Sequence, residues 1–544
     1  MYNAGDGTMF ETILRNPDFV MVENGEARRE GGGSYARGDV RVTCERQDEC
    51  LAVFITARQT PIRQVRLRWR FKARLRGVVL GDAWERAYGD LEWTCINPFR
   101  SLPWYALVQD GCDTVGYGVM VRPGAICSWQ LDPEGVTLWL DVRSGGEGVV
   151  LNGRQLAAAR VVSGVYSGMK TFVAAKKFCK RMCADPILPP APVYGSNNWY
   201  YAYGHSSAQA ILDEADYMAK LTQGLKNRPF VVIDDGWQRD RYTADGRFDE
   251  VYNGGPWVPN ARFGDMGTLA AEIARKGVTP GLWVRLLQDD SREIPDDWRL
   301  PTGALDPSMP RVLAHVREIV DRVGRWGYRL LKHDFSTYDI TGLWGWQMGH
   351  RMTGDGWRFA DGARTTAEII MDFYRAVLEA AKPHDMLVLG CNTVGHLGAG
   401  LMHLNRIGED TSGLVWERTL KNGVNALAYR MPQHRAFYDA DADCMGITGH
   451  IDWSFNRQWG ELLSRSGTSM FISVAPGSLP PEREDELRRM LAVNSRPREA
   501  AQPLDWQETT LPRIWQIDGE AVQFNWHGTR GLRVCFDDNP LTEE

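Results

Sequence analysis

The sequence predicts an α/β protein: a (β/α)8 TIM barrel with an N-terminal β-sandwich domain before it and a small C-terminal β domain after it. Three observations carry that prediction. Short apolar runs suited to strands buried on both faces recur between residues 193 and 474, with helix-like segments between them. Two of these runs, Val231-Val232-Ile233-Asp234-Asp235-Gly236-Trp237 and Leu330-Leu331-Lys332-His333-Asp334-Phe335, end in carboxylates, as strands do at the working rim of a parallel barrel. Before residue 185 the pattern has period two instead.

From about residue 35 to 175, short alternating segments are separated by turns. Val65 to Phe71 alternates strictly, and Val136 to Val142 is β-branched and aromatic, which predicts an antiparallel sandwich over 1–185. Within it, Gly81 to Trp93 is too polar and aromatic for an ordinary strand; it is either a long loop over the barrel mouth or a surface hairpin. Pro186 to Pro192 holds four prolines and reads as a boundary. The barrel is assigned to 186–488. Its strand candidates are Val193 to Gly195, Phe230 to Ile233, Pro280 to Val284, Tyr328 to Lys332, Met386 to Gly390, Arg406 to Gly408, Ala436 to Tyr438 and Met470 to Val474. The sixth and seventh are short and polar. Helices are expected over Met309 to Trp326 and Thr366 to Ala381. Trp506 to Phe536 alternates again and places a C-terminal β region over 489–544.

At 544 residues the chain is too long for one core. A net charge of −6 with both signs interspersed leaves no basic stripe for phosphates, so nucleic acid is excluded as an expected partner. Met1 to Val20 has no secretory apolar core and no later stretch reaches membrane-spanning length, so a soluble cytoplasmic protein is expected. The ten cysteines stand mostly alone, as reduced thiols do. Cys44 with Cys50 is a minor disulfide alternative. Cys179 and Cys183 share a helical face, but no second ligand pair accompanies them, so no zinc site is expected.

At the predicted strand ends stand Asn197-Asn198-Trp199, Asp234-Asp235-Gly236-Trp237, Arg285, Lys332-His333-Asp334, Cys391-Asn392, Glu409-Asp410, and Asp439 with Asp441. Carboxylates, amides, cations and indoles on one rim describe a polyol pocket, and the 21 tryptophans suit the flat faces a sugar needs. Each residue also has a plainer reading. Asp234-Asp235 is a common turn or cap pattern. Lys332 with Asp334 is equally a buried ion pair. Asp439 and Asp441 suit caps, and His396 and His403 suit surface or core. His333 alternates with its neighbours and is expected to pack outward. Trp344, Trp346 and Trp357 lie in a loop setting that favours a pocket wall over the core.

Ile233-Asp234-Asp235-Gly236-Trp237-Gln238, Lys332-x-Asp334 and Arg406-x-x-x-Asp410, in this order, resemble the diagnostic motifs of the glycoside hydrolase clan of the α-galactosidases, especially family 36 and its raffinose synthase relatives. The resemblance spans roughly residues 190 to 485. It implies Asp334 as nucleophile and Asp410 as general acid/base. It further implies that Asp234 and Asp235 bind the 4- and 6-hydroxyls of the sugar, with Lys332 and Arg406 on other ring hydroxyls. Trp199, Trp237, Cys391, Asn392 and Arg285 complete the expected substrate-binding set. Retention requires two carboxyls about 5 Å apart, one ionised and one protonated. Lys332 is expected to keep Asp334 charged, and Glu409 with Trp416 is expected to raise the pKa of Asp410.

The sequence departs from the family pattern on the substrate side. His333 replaces an aromatic, Arg285 stands where an acid is usual, and Gly390 to His396 lacks the glycine run. Arg285 selects an acidic or modified sugar, or else pairs with Asp234 or Asp289. The expected activity is a retaining glycoside hydrolase acting on α-galactosides or close relatives, with an oligosaccharide or glycoside as substrate and no cofactor or metal. The competing readings are a transglycosylase of raffinose synthase type, a hydrolase of a modified galactose-like sugar, a non-catalytic sugar-binding protein and a metal-dependent hydrolase. No membrane partner is expected, and homo-oligomerisation is left open.

Overall fold

The computed structural model describes residues 11–238 and 252–528, which form two compact units. The first comprises the described residues up to Trp84, Leu91–Asp185 and Thr341–Asp372. It holds two antiparallel sheets, of nine and six strands. In Gln64–Arg70, Val65, Leu67 and Trp69 are fully buried while the intervening arginines are not, the period-two pattern of a sheet with one apolar face. Trp69 and Tyr117 each pack against Trp129, at ring separations of 6.3 Å, and Tyr117 does so from the other sheet. The helix Thr171–Met182 crosses the nine-stranded sheet at Gly116 and Gly118. A Cβ at Gly116 would stand 2.6 Å from the Phe178 ring, so only glycine admits this approach. Residues 341–372 join this unit through Arg143, whose guanidinium bonds Asp141 and Asp355. Trp344, Trp346 and Trp357 therefore belong to the sandwich unit. Cys44 and Cys50 both remain free thiols.

The second unit contains Glu85–Asp90, Pro186–Ile340 and the described chain from Phe373 onward. Its sheet is parallel throughout: β1 (Tyr194–Asn197), β2 (Phe230–Ile233), β3 (Thr279–Val284), β4 (Leu330–His333), β5 (Leu387–Gly390), β6 (Leu404–Arg406), β7 (Asp439–Asp441), β8 (Cys444–Ile447) and β9 (Met470–Val474). β9 pairs with β1, so the sheet closes on itself. β7 and β8 are two halves of one strand, the first paired with β6 and the second with β9, and the chain turns between them at Asp443 with φ 73°. The result is the (β/α)8 barrel.

The sixth and seventh strands differ in position from their predicted runs, Arg406 to Gly408 and Ala436 to Tyr438. The observed segments carry Asn405, Arg406, Asp439 and Asp441, all buried. Polar side chains paired inside the barrel erase the apolar signal that marks the other strands. The helix Pro310–Trp326 was legible for the opposite reason: Val312, Val316, Ile319, Val320 and Val323 form one buried stripe, and Gly327 ends it at φ 104°.

Val232, Leu330, Leu389, Leu404 and Phe471 form an apolar layer inside the barrel. Because side chains alternate along a strand, Asp234, Lys332, Cys391 and Arg406, two residues further on, share that inward face one layer higher. Residues 85–90 lie beside the end of β6. The Ala87 N–H donates to the Ile407 carbonyl at 2.9 Å, and the Glu409 N–H donates to the Ala87 carbonyl at 2.9 Å. The middle of the polar 81–93 segment thus sits on the barrel rim. A three-stranded antiparallel sheet at Gln502–Pro503, Ile514–Ile517 and Glu520–Gln523 follows, in the same unit. The predicted run toward Phe536 ends outside the described residues. No helix among the described residues is long and apolar enough to cross a membrane.

Candidate active site

Asp334 follows β4 directly. Its Oδ1 accepts from the backbone N–H of Phe335 at 2.7 Å and of Asn392 at 3.0 Å, and its Oδ2 accepts from the Trp283 indole at 3.2 Å. The two oxygens of this partly exposed carboxyl thus accept from three N–H donors. Phe335 adopts φ 61°, so the chain turns away immediately after this residue and leaves the carboxylate at the rim.

Asp234 is held by neighbouring strands: its Oδ2 accepts from Lys332 Nζ at 2.7 Å and from Asn197 Nδ2 at 2.6 Å. Lys332 therefore neutralises Asp234, and the expected direct pairing with Asp334 is corrected. Burial alone would lower the Lys332 pKa, but Asp234 overrides it and holds the ammonium well above its ordinary value. Asp235 accepts from Gln238 Nε2 at 2.7 Å.

Arg406 is buried and binds three partners. It reaches Asp410 Oδ1 at 2.7 Å, Asp443 Oδ2 at 2.6 Å and the Cys391 sulfur at 3.5 Å. Asp443 also accepts from the Thr411 N–H at 2.7 Å and from the Tyr200 hydroxyl. Arg86, from the 85–90 segment, reaches Glu409 at 2.8 Å and Asp410 at 3.6 Å. Burial by itself would raise the pKa of Asp410, but Arg406 and Arg86 outweigh it and hold the carboxyl below its ordinary value. This corrects the expectation of an upward shift. Glu409 shifts the other way, raised chiefly by burial.

Several expected sugar contacts have other duties. Trp237 is fully buried against Trp257 and Trp326 and donates its indole N–H to the Trp283 carbonyl at 2.9 Å. It supports the tryptophan that bonds Asp334 and presents no face to a ligand. The Asn392 amide is engaged on both sides, by the Tyr338 N–H at 2.9 Å and by Glu85. Arg285 pairs with neither Asp234 nor Asp289: it bonds Asp339 at 2.5 Å and Asn253, and lies 4.4 Å over the Phe335 ring. Asp289 pairs with His315 at 3.2 Å. Burial raises the Asp339 carboxyl to about 6 despite Arg285. His333 packs outward on Phe373 and Tyr374, and burial lowers it to about 4. Cys391 is buried against Arg406, and Trp199 is half-buried against Tyr203. Asp439 and Asp441 lie within β7, not beyond a strand end, and burial raises Asp439 to about 7.

Sequence reasoning missed Trp283, Tyr200, Asp443, Glu85 and Arg86. Trp283 carried a usable signal, standing two residues before Arg285 on the same strand face. Asp443 carried one too, two residues after Asp441. Glu85 and Arg86 lie within the 81–93 segment, whose polar and aromatic character already allowed a loop over the barrel mouth, but no local pattern singled out these two side chains or the strand they meet.

No protein-family model matches the sequence, and neither does any curated protein. Solved structures do match in fold, and the class they define is the (β/α)8 barrel preceded by a β-rich domain. One is TtGalA, an α-galactosidase from Thermus thermophilus in complex with p-nitrophenyl α-D-galactopyranoside: 17% identity, 92% of this chain and 98% of that chain covered, TM-score 0.60. Another is the GH36 α-galactosidase AgaA from Geobacillus stearothermophilus: 14% identity, 88% and 75% covered, TM-score 0.57. The galactosidase domain of the α-galactosidase-sucrose kinase AgaSK matches at 15% identity, 91% and 77% covered, TM-score 0.53.

Proposed function

We propose that the protein is a retaining glycoside hydrolase acting on α-galactosides or closely related glycosides. The observation that supports the reading is the Asp334 carboxylate, held by three N–H donors after β4, together with a second carboxyl, Asp410, bound to Arg406 of β6. Fold alone does not imply activity. The added support is that structures of the same fold are α-galactosidases, one of them in complex with a galactoside.

In this reading, a carboxylate oxygen of Asp334 bonds to the anomeric carbon as the bond to the aglycone oxygen breaks. The electron pair of that bond leaves with the oxygen, which takes the proton of Asp410. Water then gives a proton to the Asp410 carboxylate and attacks the anomeric carbon, and Asp334 departs ionised. Asp234, neutralised by Lys332, accepts hydrogen bonds from sugar hydroxyls, with Asp235 beside it.

The test is a panel of nitrophenyl glycosides with α-galactoside, α-N-acetylgalactosaminide, β-L-arabinopyranoside and α-glucoside, for wild type and Asp334→Ala. α-Galactoside cleavage is expected in the wild type and not in the variant. Added azide should restore turnover of the variant by forming a β-galactosyl azide, because the small anion replaces the missing carboxylate. A variant as active as wild type refutes the assignment of Asp334.

A further inference from the structure

Each arginine beside Asp410 has a carboxylate of its own. Arg406 lies 2.6 Å from Asp443, and Arg86 lies 2.8 Å from Glu409. Asp410 shares both cations, with its Oδ1 at 2.7 Å from Arg406 and 3.6 Å from Arg86, and Glu85 Oε2 stands farther off, 4.0 Å from Arg86 Nε. Lys332, Arg418 and the Tyr200 phenol also bear on it electrostatically. The side chains of Arg86 and Arg406 are only 3% and 2% exposed, so without Glu409 the Arg86 guanidinium would draw on Asp410 and the more distant Glu85, and without Asp443 the Arg406 guanidinium would draw on Asp410. With both matched, Asp410 can gain or lose a proton and leave no arginine unpaired. A group that acts as acid in one half-reaction and base in the next requires that freedom.

We propose that Glu409 is a positioning residue for Asp410: it neutralises Arg86, which the 85–90 segment brings to the rim, and so allows Asp410 to hold the proton it delivers to the leaving oxygen. The inference rests on the reading of Asp410 as the acid/base. The proton passes from the Asp410 hydroxyl to the aglycone oxygen as its bond to the sugar breaks, and Asp410 remains as a carboxylate between the two arginines. The lowered pKa of the resting Asp410 shows how strongly the arginines compete for it even with Glu409 in place.

The test compares kcat/KM against pH for 4-nitrophenyl α-galactoside, whose leaving group departs with little protonation, and methyl α-galactoside, whose leaving group needs it. Glu409→Gln removes the carboxylate nearest Arg86, leaving Glu85 at 4.0 Å, and should move the alkaline limb down by roughly 1–3 pH units, the range an adjacent cation exerts on a carboxyl. It should also slow the methyl glycoside at least about tenfold more than the nitrophenyl one, since general acid catalysis contributes on the order of 10²–10⁴-fold. Arg86→Gln removes the cation and should move the same limb up. Glu409→Asp keeps the charge and should restore the wild-type limb. Limb position and substrate ratio are both independent of how much variant is folded. The proposal is overturned if the two Gln variants move the limb in the same direction or not at all, or if Glu409→Gln slows both substrates equally. Wild-type enzyme inert toward both galactosides would instead refute the glycosidase reading beneath it.

Discussion

Replacing Lys332 by methionine separates two arrangements that differ in where its charge goes. The ammonium lies 2.7 Å from Asp234, with side-chain exposures of 10% and 5%. At an effective dielectric near 20 the attraction at this distance is about 6 kcal/mol. Breaking a buried pair from one side costs about 3–5 kcal/mol, because the abandoned charge stays desolvated. Asp234 keeps the Asn197 amide and the Asp235 N–H, which places the expected loss near the lower end, at about 3 kcal/mol. Chemical denaturation followed by tryptophan fluorescence measures it. Asp234→Asn added to Lys332→Met should recover most of the loss, since no charge is then left unmatched, whereas Asp334→Asn should recover none. Rescue by Asp334→Asn instead would refute the pairing, and would mean that Lys332 spends its charge on the nucleophile.

Trp283→Phe deletes one donor to Asp334; a hydrogen bond to a charged group is worth about 1.5–3 kcal/mol, so kcat should fall roughly tenfold or more with KM little changed. Glu214 is buried and bonds the Tyr201 hydroxyl at 2.6 Å, and burial raises its pKa from 4.5 to about 7. The folded state therefore binds more protons than the unfolded one between those values, and stability from this group declines as pH rises through that window. Glu214→Gln should match wild type below pH 4.5 and be more stable above pH 7 by about 3 kcal/mol, read from denaturation midpoints at both pH values. Gly408→Ala would place a Cβ 1.9 Å from the Asn422 carbonyl oxygen, next to where Ala87 docks, and should abolish soluble expression or activity; a fully active variant would refute that packing.

The barrel was legible wherever a strand is apolar on both faces, as in Phe230 to Ile233, and wherever a helix carries a full stripe, as in Pro310 to Trp326. It was illegible at β6 and β7, whose buried Arg406, Asp439 and Asp441 read locally as loop residues. Most residues of the candidate site stood at recognisable strand ends, but their partners did not. Lys332 was matched to the wrong aspartate because both Asp334 and Asp234 are compatible with its place on the strand, and only the neighbouring strand decides between them. Trp237 and Arg285 sit in the right sequence context for sugar contacts, yet one is enclosed by tryptophans and the other is committed to Asp339.

By itself the sequence determined the architecture and the inward positions of Asp234, Lys332, Asp334 and Arg406, because strand periodicity is a local property that survives without knowledge of neighbours. Only the tertiary structure decided which charge neutralises which, that Asp443 shares Arg406, and that Glu85 and Arg86 reach the rim from outside the barrel sequence. Those are distances between residues far apart in the chain, and Coulomb and hydrogen-bond energies depend on distance in space, which no one-dimensional pattern records.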